Sequence, residues 1–238
     1  MRLDKFISHA LGLSRGDARS IIKKKLIKVN DKIIRKNDYY LDDNNDVVKY
    51  NDEVIVYKEF IYLMMNKPSG YICATSDKIH KTVIDLLDGN YSKYELFPMG
   101  RLDIDTEGLV ILTNDGTLAH NVLSPNKEVY KKYYCEVDLP FDEKDVIEFL
   151  KGMELYDGNG NLYTTKKAYL EIIDSNKAYV QICEGKYHQV KKMCLKVGKT
   201  VTYLKRVEMK NIKLDPTLGL GEYRELTSEE VNCLKLSQ

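Results

Sequence analysis

GRLDIDTEGLVILTNDG, residues 100–116, lays out three kinds of residue in order. Charged and turn-forming side chains come first (Arg101, Asp103, Asp105, Thr106), then Gly108, then the apolar run LVILT at 109–113, closed by Asn114-Asp115-Gly116. A short β-branched run bounded by turn residues reads as a buried strand. The loop before it is therefore carried by a rigid element, which is where catalytic and binding side chains are best held. On residue type alone, Asp103 or Asp105 is a nucleophile, a metal ligand or a turn-capping aspartate, and turn capping is the commonest use of Asp in such a loop.

Working outward, FIYLMMN (60–66) reads as a second buried strand, ended by the turn Pro68-Ser69-Gly70. KYYCEV (132–137), KAYLEII (167–173) and AYVQI (178–182) are further strands, and a helix over 142–151 separates the first of them from the others. In HQVKKMCLKV (188–197), Val190, Met193, Cys194 and Val197 fall at i, i+3, i+4 and i+7, the seam of an amphipathic helix. Thr227 and Glu230 have the spacing of a capping box for a last helix, SEEVNCLKL. Strands and helices do not alternate regularly, so residues 59–238 are expected to form a large α+β domain with a mixed, mainly antiparallel sheet.

Residues 1–58 read as a separate small helical and β domain. Leu3, Phe6, Ile7 and Ala10 make one helical stripe, which Gly12 breaks. Ser14, with Asp17 as the far member of a capping box, starts a second helix whose buried side is Ala18, Ile21 and Ile22. Arg15, Arg19 and Lys23 stand at four-residue steps beside that stripe. LIKVNDKII then gives two β-prone runs around an Asn30-Asp31 turn, and VVKY and VIVY follow before the boundary near residue 58. Residues 1–36 carry eleven Lys/Arg against three Asp, a local balance of +8, on a chain whose net charge is +1. Residues 37–60 swing to −5, with seven acidic and two basic residues. A basic block concentrated on a nearly neutral chain is the footprint of a phosphate-backbone partner.

Composition narrows the function classes. Hydrophobic residues make up 43% of 238, enough for a real core. No apolar run approaches the roughly 20 residues of a membrane helix. The N-terminus is charged from its second residue with no apolar signal core, so a cytoplasmic protein is expected. Five cysteines, at 73, 135, 183, 194 and 233, form no CxxC pair and suit reduced thiols. His9, His80, His120 and His188 show no ligand spacing, so no metal site is expected. With neither a GxxxxGK nor a GxGxxG loop, no nucleotide cofactor is expected either.

GRLDIDTEGL resembles the catalytic signature of pseudouridine synthases, in which the Asp of G-R-L-D is the nucleophile; here that is Asp103. Other stretches resemble the same family in order along the chain. They are MMNKPSGYICATSD (64–77), VYKKYYCEV (129–137), EGKYHQVKKM (184–193) and the tail LGLGEYRELTSEE. The second places the family's tyrosine at Tyr133, the third its basic partner at Lys191, and the tail its core leucine at Leu226. The N-terminal RLDKFISHALGLSRGDARSIIKKKLIKVN resembles the alpha-L RNA-binding module of a small-subunit ribosomal protein and some tRNA synthetases. Within the family, the His188-Gln189 pair, the IDT after GRLD and the GEYREL tail resemble the RsuA type, which acts on 16S rRNA.

The resemblance implies an isomerase that turns a uridine of 16S ribosomal RNA, uridine 516, into pseudouridine. Such an enzyme works without cofactor on the RNA or on a small-subunit assembly intermediate, and is a monomer. It implies Asp103, Tyr133 and Lys191 as catalytic residues and Arg101, Arg2, Arg15, Arg19 and Lys23 as RNA contacts. Burial alone favours the protonated form of a carboxyl, and an adjacent cation reverses that; this is the part expected of Lys191, with Lys192 as its neighbouring competitor. Tyr133 is expected to receive the extruded base. Asp105 and Thr106 are expected to shape the loop, and His188 to be structural. The alternatives are a large-subunit (23S) rRNA synthase of the same plan, or an rRNA-binding assembly factor without catalysis.

Overall fold

Helix α1 (Leu3–Leu11) hands over to α2 (Arg15–Lys23) through Gly12, whose φ of +65° suits a residue without a Cβ. The computed structural model describes residues 1–42, 45–124 and 127–236. It separates into two units, Met1–Glu59 with Gly89–Glu95, and Phe60–Asp88 with Leu96–Gln238. The return of Gly89–Glu95 to the first unit had no signal in a linear reading; Tyr94 there stacks on Tyr57 with ring centres 5.6 Å apart.

In the first unit, β1 (Ile27–Val29), β2 (Lys32–Ile33), β3 (Val48–Tyr50) and β4 (Glu53–Val54) form an antiparallel sheet in the order β2-β1-β3-β4. Asn30-Asp31 and Asn51-Asp52 both have positive φ, as two-residue hairpin turns require. Leu3, Ile7, Ala18, Ile22, Ile27 and Val48 are buried together, joining both helices to the sheet. Ser14 caps α2 by accepting the Asp17 N–H, but the Asp17 carboxylate accepts the Ser14 hydroxyl at 2.6 Å, so the reciprocal half of the expected capping box is replaced. Buried Asp4 receives hydrogen bonds from Arg2 and Arg19, both at 3.0–3.1 Å.

In the second unit, β5 (Tyr62–Lys67), β6 (Phe97–Met99) and β7 (Glu107–Thr113) precede α3 (Gly116–Leu123). Next come β8 (Lys131–Val137), α4 (Glu143–Lys151) and the hairpin of β9 (Glu154–Tyr156) with β10 (Leu162–Thr164). The chain continues through β11 (Tyr169–Asp174), β12 (Lys177–Ile182), α5 (Gln189–Lys196), β13 (Val201–Met209) and β14 (Ile212–Lys213). It ends with β15 (Tyr223–Glu225) and α6 (Ser228–Lys235). Among the described residues the main sheet runs β11-β12-β8-β13-β7-β5-β15, with β14 on β13 and β6 on β7. Every pairing in it is antiparallel except β13 with β7. The architecture is the expected one: a small helical and β unit followed by a larger, sheet-rich α+β unit.

The central strands β5 and β7 are buried on both faces. Met64, Leu109 and Ile111 pack with Leu118 and Val122 of α3 and Leu234 of α6, while Leu63, Met65, Val110 and Leu112 are also fully buried. Each such side chain contributes on the order of 1.5–3 kcal/mol of apolar burial. This makes β7 a rigid base for the loop that leads into it. Asp115, a strand stop in the sequence, caps α3 by accepting the Leu118 N–H.

Candidate active site

One buried lysine fastens the loop ahead of β7. Lys67, at the end of β5, is 0% exposed, and its ammonium donates to the carbonyls of Pro68, Ile104 and Thr106 at 2.8–3.2 Å. Three N–H groups meet three acceptors, so the charge is solvated by backbone alone. Burial lowers the lysine's affinity for its proton, and Cys73, Asp105, Glu107 and Asp103 oppose that. The Gly70 N–H donates to Ile104 O, the Leu102 N–H to Cys73 Sγ, and the Thr106 N–H back to Asp103 O. The turn 68–73 and the loop 102–106 are thus one hydrogen-bonded body, and Asp103 projects from it.

Behind the loop, Gly108 (φ +102°) lies against β13: a Cβ there would stand 2.2 Å from Arg206 O. Arg206 is buried and donates from Nε to Leu109 O at 2.8 Å, while its Nη2 has no hydrogen-bond partner among the described residues. Arg206 pairs in register with Gly108 on one side and Tyr133 on the other. Lys131, two residues before Tyr133 on the same strand, has its pKa pushed down to about 8 by burial first and Arg206 second.

Across from the loop, the segment 184–191 brings in basic and aromatic groups. Gln189 is buried, accepts the Lys186 N–H and donates to Glu184, which fixes the start of α5. Lys191, in the first turn, puts Nζ 2.5 Å from Asp105 Oδ1 and 3.6 Å from Asp103 Oδ2. His188 Nε2 lies 3.6 Å from Asp103 Oδ1. Burial works to raise the pKa of Asp105, but the hydrogen bond and charge of Lys191 hold it below the usual carboxylate range.

A cavity of about 60 Å³ is lined by Arg101, Asp103, Thr106, Tyr133, His188 and Lys191, with Ile182 and Leu204 as apolar wall. Four residues singled out from sequence, Arg101, Asp103, Tyr133 and Lys191, therefore share one cavity. Asp103 keeps 27% of its side chain exposed and Lys191 24%. The expectation of a carboxylate held dry by a single lysine needs correcting: Lys191 makes its short contact to Asp105, an exposed residue taken only for a loop shaper. His188, given no part beyond structure, faces the carboxylate. Lys192 turns away, donating to Tyr156 O. Leu226 is buried against the core that holds β5 and β7.

The other four, Arg2, Arg15, Arg19 and Lys23, belong to the first unit. Arg15 and Lys23 are exposed on α2, whereas Arg2 and Arg19 are committed to Asp4. Sequence reading did not single out Lys67 or Arg206. The signal for Lys67 was present, a lysine ending an apolar strand just before Pro-Ser-Gly; for Arg206 there was none.

The family described as RNA pseudouridylate synthase matches residues 61–196, and the S4 domain matches residues 1–52. An uncharacterized RNA pseudouridine synthase of Bacillus subtilis (strain 168), YtzG, is 42% identical over 242 residues, with 100% of both chains covered. The ribosomal small subunit pseudouridine synthase A of Escherichia coli (strain K12) is 39% identical over 231 residues, 97% of this chain and 98% of that one. A solved crystal structure of a pseudouridylate synthase superposes with a TM-score of 0.69 at 35% identity, covering 98% of this chain and 99% of the other.

Proposed function

Because this chain belongs to the RNA pseudouridylate synthase family and carries an S4 domain, we propose that it isomerises uridine 516 of small-subunit (16S) ribosomal RNA, with Asp103 as nucleophile. It is an RNA pseudouridine synthase; the ribosomal target, the residue roles and a cytoplasmic place of work are the proposal. The name of the E. coli relative, a ribosomal small subunit enzyme, supports the target. The observation that carries the residue roles is the meeting in one cavity of Asp103, on the loop fastened by Lys67, with Tyr133 of β8 and Lys191 of α5.

The reaction breaks the N1–C1′ bond of a uridine, turns the base and joins C5 to C1′. N1 gains a proton and C5 loses one, so no atom is added or removed. The carboxylate of Asp103 supplies the nucleophile or base that the sugar-to-base bond change needs, and can leave again afterwards. The uridine has to leave its stack to reach the cavity, and Tyr133, with Ile182 and Leu204, offers it an apolar and aromatic wall. Lys191, with Nζ 3.6 Å from Asp103 Oδ2, supplies a positive charge beside the nucleophile as water is displaced. The exposed Arg101 at the rim holds the phosphate of the extruded nucleotide, as an arginine fork suits. Exposed Arg15 and Lys23 on the S4 domain position the RNA backbone, as an alpha-L module does. No step requires a cofactor or a metal, and the chain acts as a monomer.

Ribosomal RNA transcribed without modification, small- and large-subunit, tests this when incubated with the protein and mapped for pseudouridine. The expected result is a single pseudouridine in the 16S RNA. A modified uridine in the 23S RNA would replace the target, and binding without any pseudouridine would replace the enzyme by an assembly factor.

A further inference from the structure

His188 is the residue on which the geometry of the cavity converges without a role so far. It has a left-handed backbone, φ +53°, which a residue bearing a Cβ adopts at a cost of order 1 kcal/mol. The surrounding structure enforces that conformation. The His188 carbonyl accepts the Lys192 N–H at 2.9 Å, and Gln189 locks the preceding turn. The imidazole lies flat on the ring of Tyr187, centroids 3.8 Å apart and planes 20° from parallel. Tyr187 in turn packs against the backbone of Gly158, where a Cβ would already be 3.4 Å from its ring, and carries the Lys192 ammonium at 4.9 Å from its centre. The ring has been placed, at a backbone cost, with Nε2 aimed at Asp103 Oδ1.

The two oxygens of Asp103 thus face different groups. Oδ2 looks toward Lys191, whose ammonium is already engaged by Asp105, and Oδ1 looks toward His188, both at 3.6 Å. These separations are longer than hydrogen bonds and have to shorten by about 0.6–0.8 Å to become so, as catalytic contacts commonly do when substrate arrives. We propose that His188 is a positioning residue for the isomerisation: its Nε2–H holds Asp103 Oδ1, fixing the plane of the carboxylate so that Oδ2 is presented to the nucleotide. This rests on the reading of Asp103 as the nucleophile.

Single-turnover tritium release from ribosomal RNA labelled at uridine C5, both subunits together, measures the step directly. RNA affinity is measured in parallel. His188→Leu keeps bulk but has no donor, and is expected to slow the single-turnover rate about 10- to 100-fold, the worth of one hydrogen bond to a charged group, at unchanged RNA affinity. His188→Gln, whose amide nitrogen reaches the place of Nε2, is expected to recover most of that loss. Should His188→Leu not fold, His188→Gly, which the left-handed backbone favours, makes the same comparison with Gln. Wild-type rate in the donorless variant, equal slowing in Leu and Gln, or a loss confined to RNA affinity would each overturn the inference. Asp103→Asn separates the two readings: if it retains the wild-type rate, the nucleophile assignment falls and the role of His188 with it. If only the His188 result fails, the function stands.

Discussion

The Cα of Gly108 faces the backbone of Arg206 so closely that a Cβ would stand 2.2 Å from the Arg206 carbonyl oxygen. That contact is where β7 and β13 make the parallel pairing of the sheet, Gly108 opposite Arg206 and Glu107 opposite Lys205. The strand that carries the Asp103 loop is joined there to the strand that faces Tyr133. Gly108→Ala is expected to force the two strands apart and to strain a backbone at φ +102°, at a combined cost of about 3 kcal/mol or more. Urea unfolding followed by circular dichroism checks this; a variant as stable as the wild type would mean that the strands separate without penalty.

Lys67 offers a different kind of test, since its ammonium serves three carbonyls. Lys67→Met preserves the stem and takes the ammonium away from those carbonyls, of which Ile104 O keeps the Gly70 N–H, at about 1–3 kcal/mol for each one left buried without a donor. Both the thermal midpoint and the single-turnover rate are expected to fall, because the acceptors belong to the loop of Asp103. A variant that loses stability but retains full rate would show that the loop holds its shape without the lysine.

Much of this was legible in the sequence, and the particular misses are instructive. LVILT and FIYLMMN announced β7 and β5 because apolar residues stand on both faces of a central strand. β13, nine residues long, was passed over although its burial alternates. In VTYLKRVEM the inward position 206 is an arginine, whose charge hides the pattern while its guanidinium is buried on Leu109 O. The cavity residues Asp103, Tyr133 and Lys191 came from resemblance; residue type alone left Asp103 a turn former. That Lys191 engages Asp105 is a matter of ångström-scale side-chain placement, and no spacing rule reaches that scale.

The sharing of Lys191 between two carboxylates gives a contrast between them. Asp103→Asn is expected to lower pseudouridine formation by about a thousandfold or more, as removal of a covalent-catalysis residue does, with RNA affinity kept. Asp105→Asn releases Lys191 toward Asp103, and its effect is expected to stay within about tenfold, the scale of a partly exposed ion pair. Comparing single-turnover rates decides it; a dead Asp105→Asn beside an active Asp103→Asn would exchange their roles.

On the S4 domain, Arg15 and Lys23 are separable from Arg19. Neutralising Arg15 or Lys23 is expected to flatten the salt dependence of RNA binding by about one unit of slope each and to leave the melting temperature unchanged. Arg19→Ala removes a partner of the buried Asp4, so it should lower the melting temperature as well. Burial works to raise the pKa of Asp4, yet Arg2 and Arg19 together hold it below the ordinary value of 3.8. Salt-dependent affinity and thermal melts of the three variants are the measurements; an Arg19→Ala protein with an unaltered melt would reduce Arg19 to a surface charge.

Arg224 ties β15 to α6 and makes stability depend on acid. It donates to Asp215 at 2.7 Å and, with both terminal nitrogens, to Glu230 at 2.8–2.9 Å. Asp215 is held down to about 2 by Thr217 first and Arg224 after it, and Glu230 is lowered chiefly by Arg224. Carboxylates lowered in the folded state contribute stability that is fully present above their unfolded values, 3.8 and 4.5, and is lost as pH falls through the folded ones. In Arg224→Met both folded values move back toward the unfolded ones, so the variant has less stability to lose in acid. Its urea midpoint should lie below that of the wild type at pH 7, and the gap should narrow from about pH 5 downward. A gap of constant size down to pH 3 would assign the contribution of Arg224 to packing of its stem instead of to its charge.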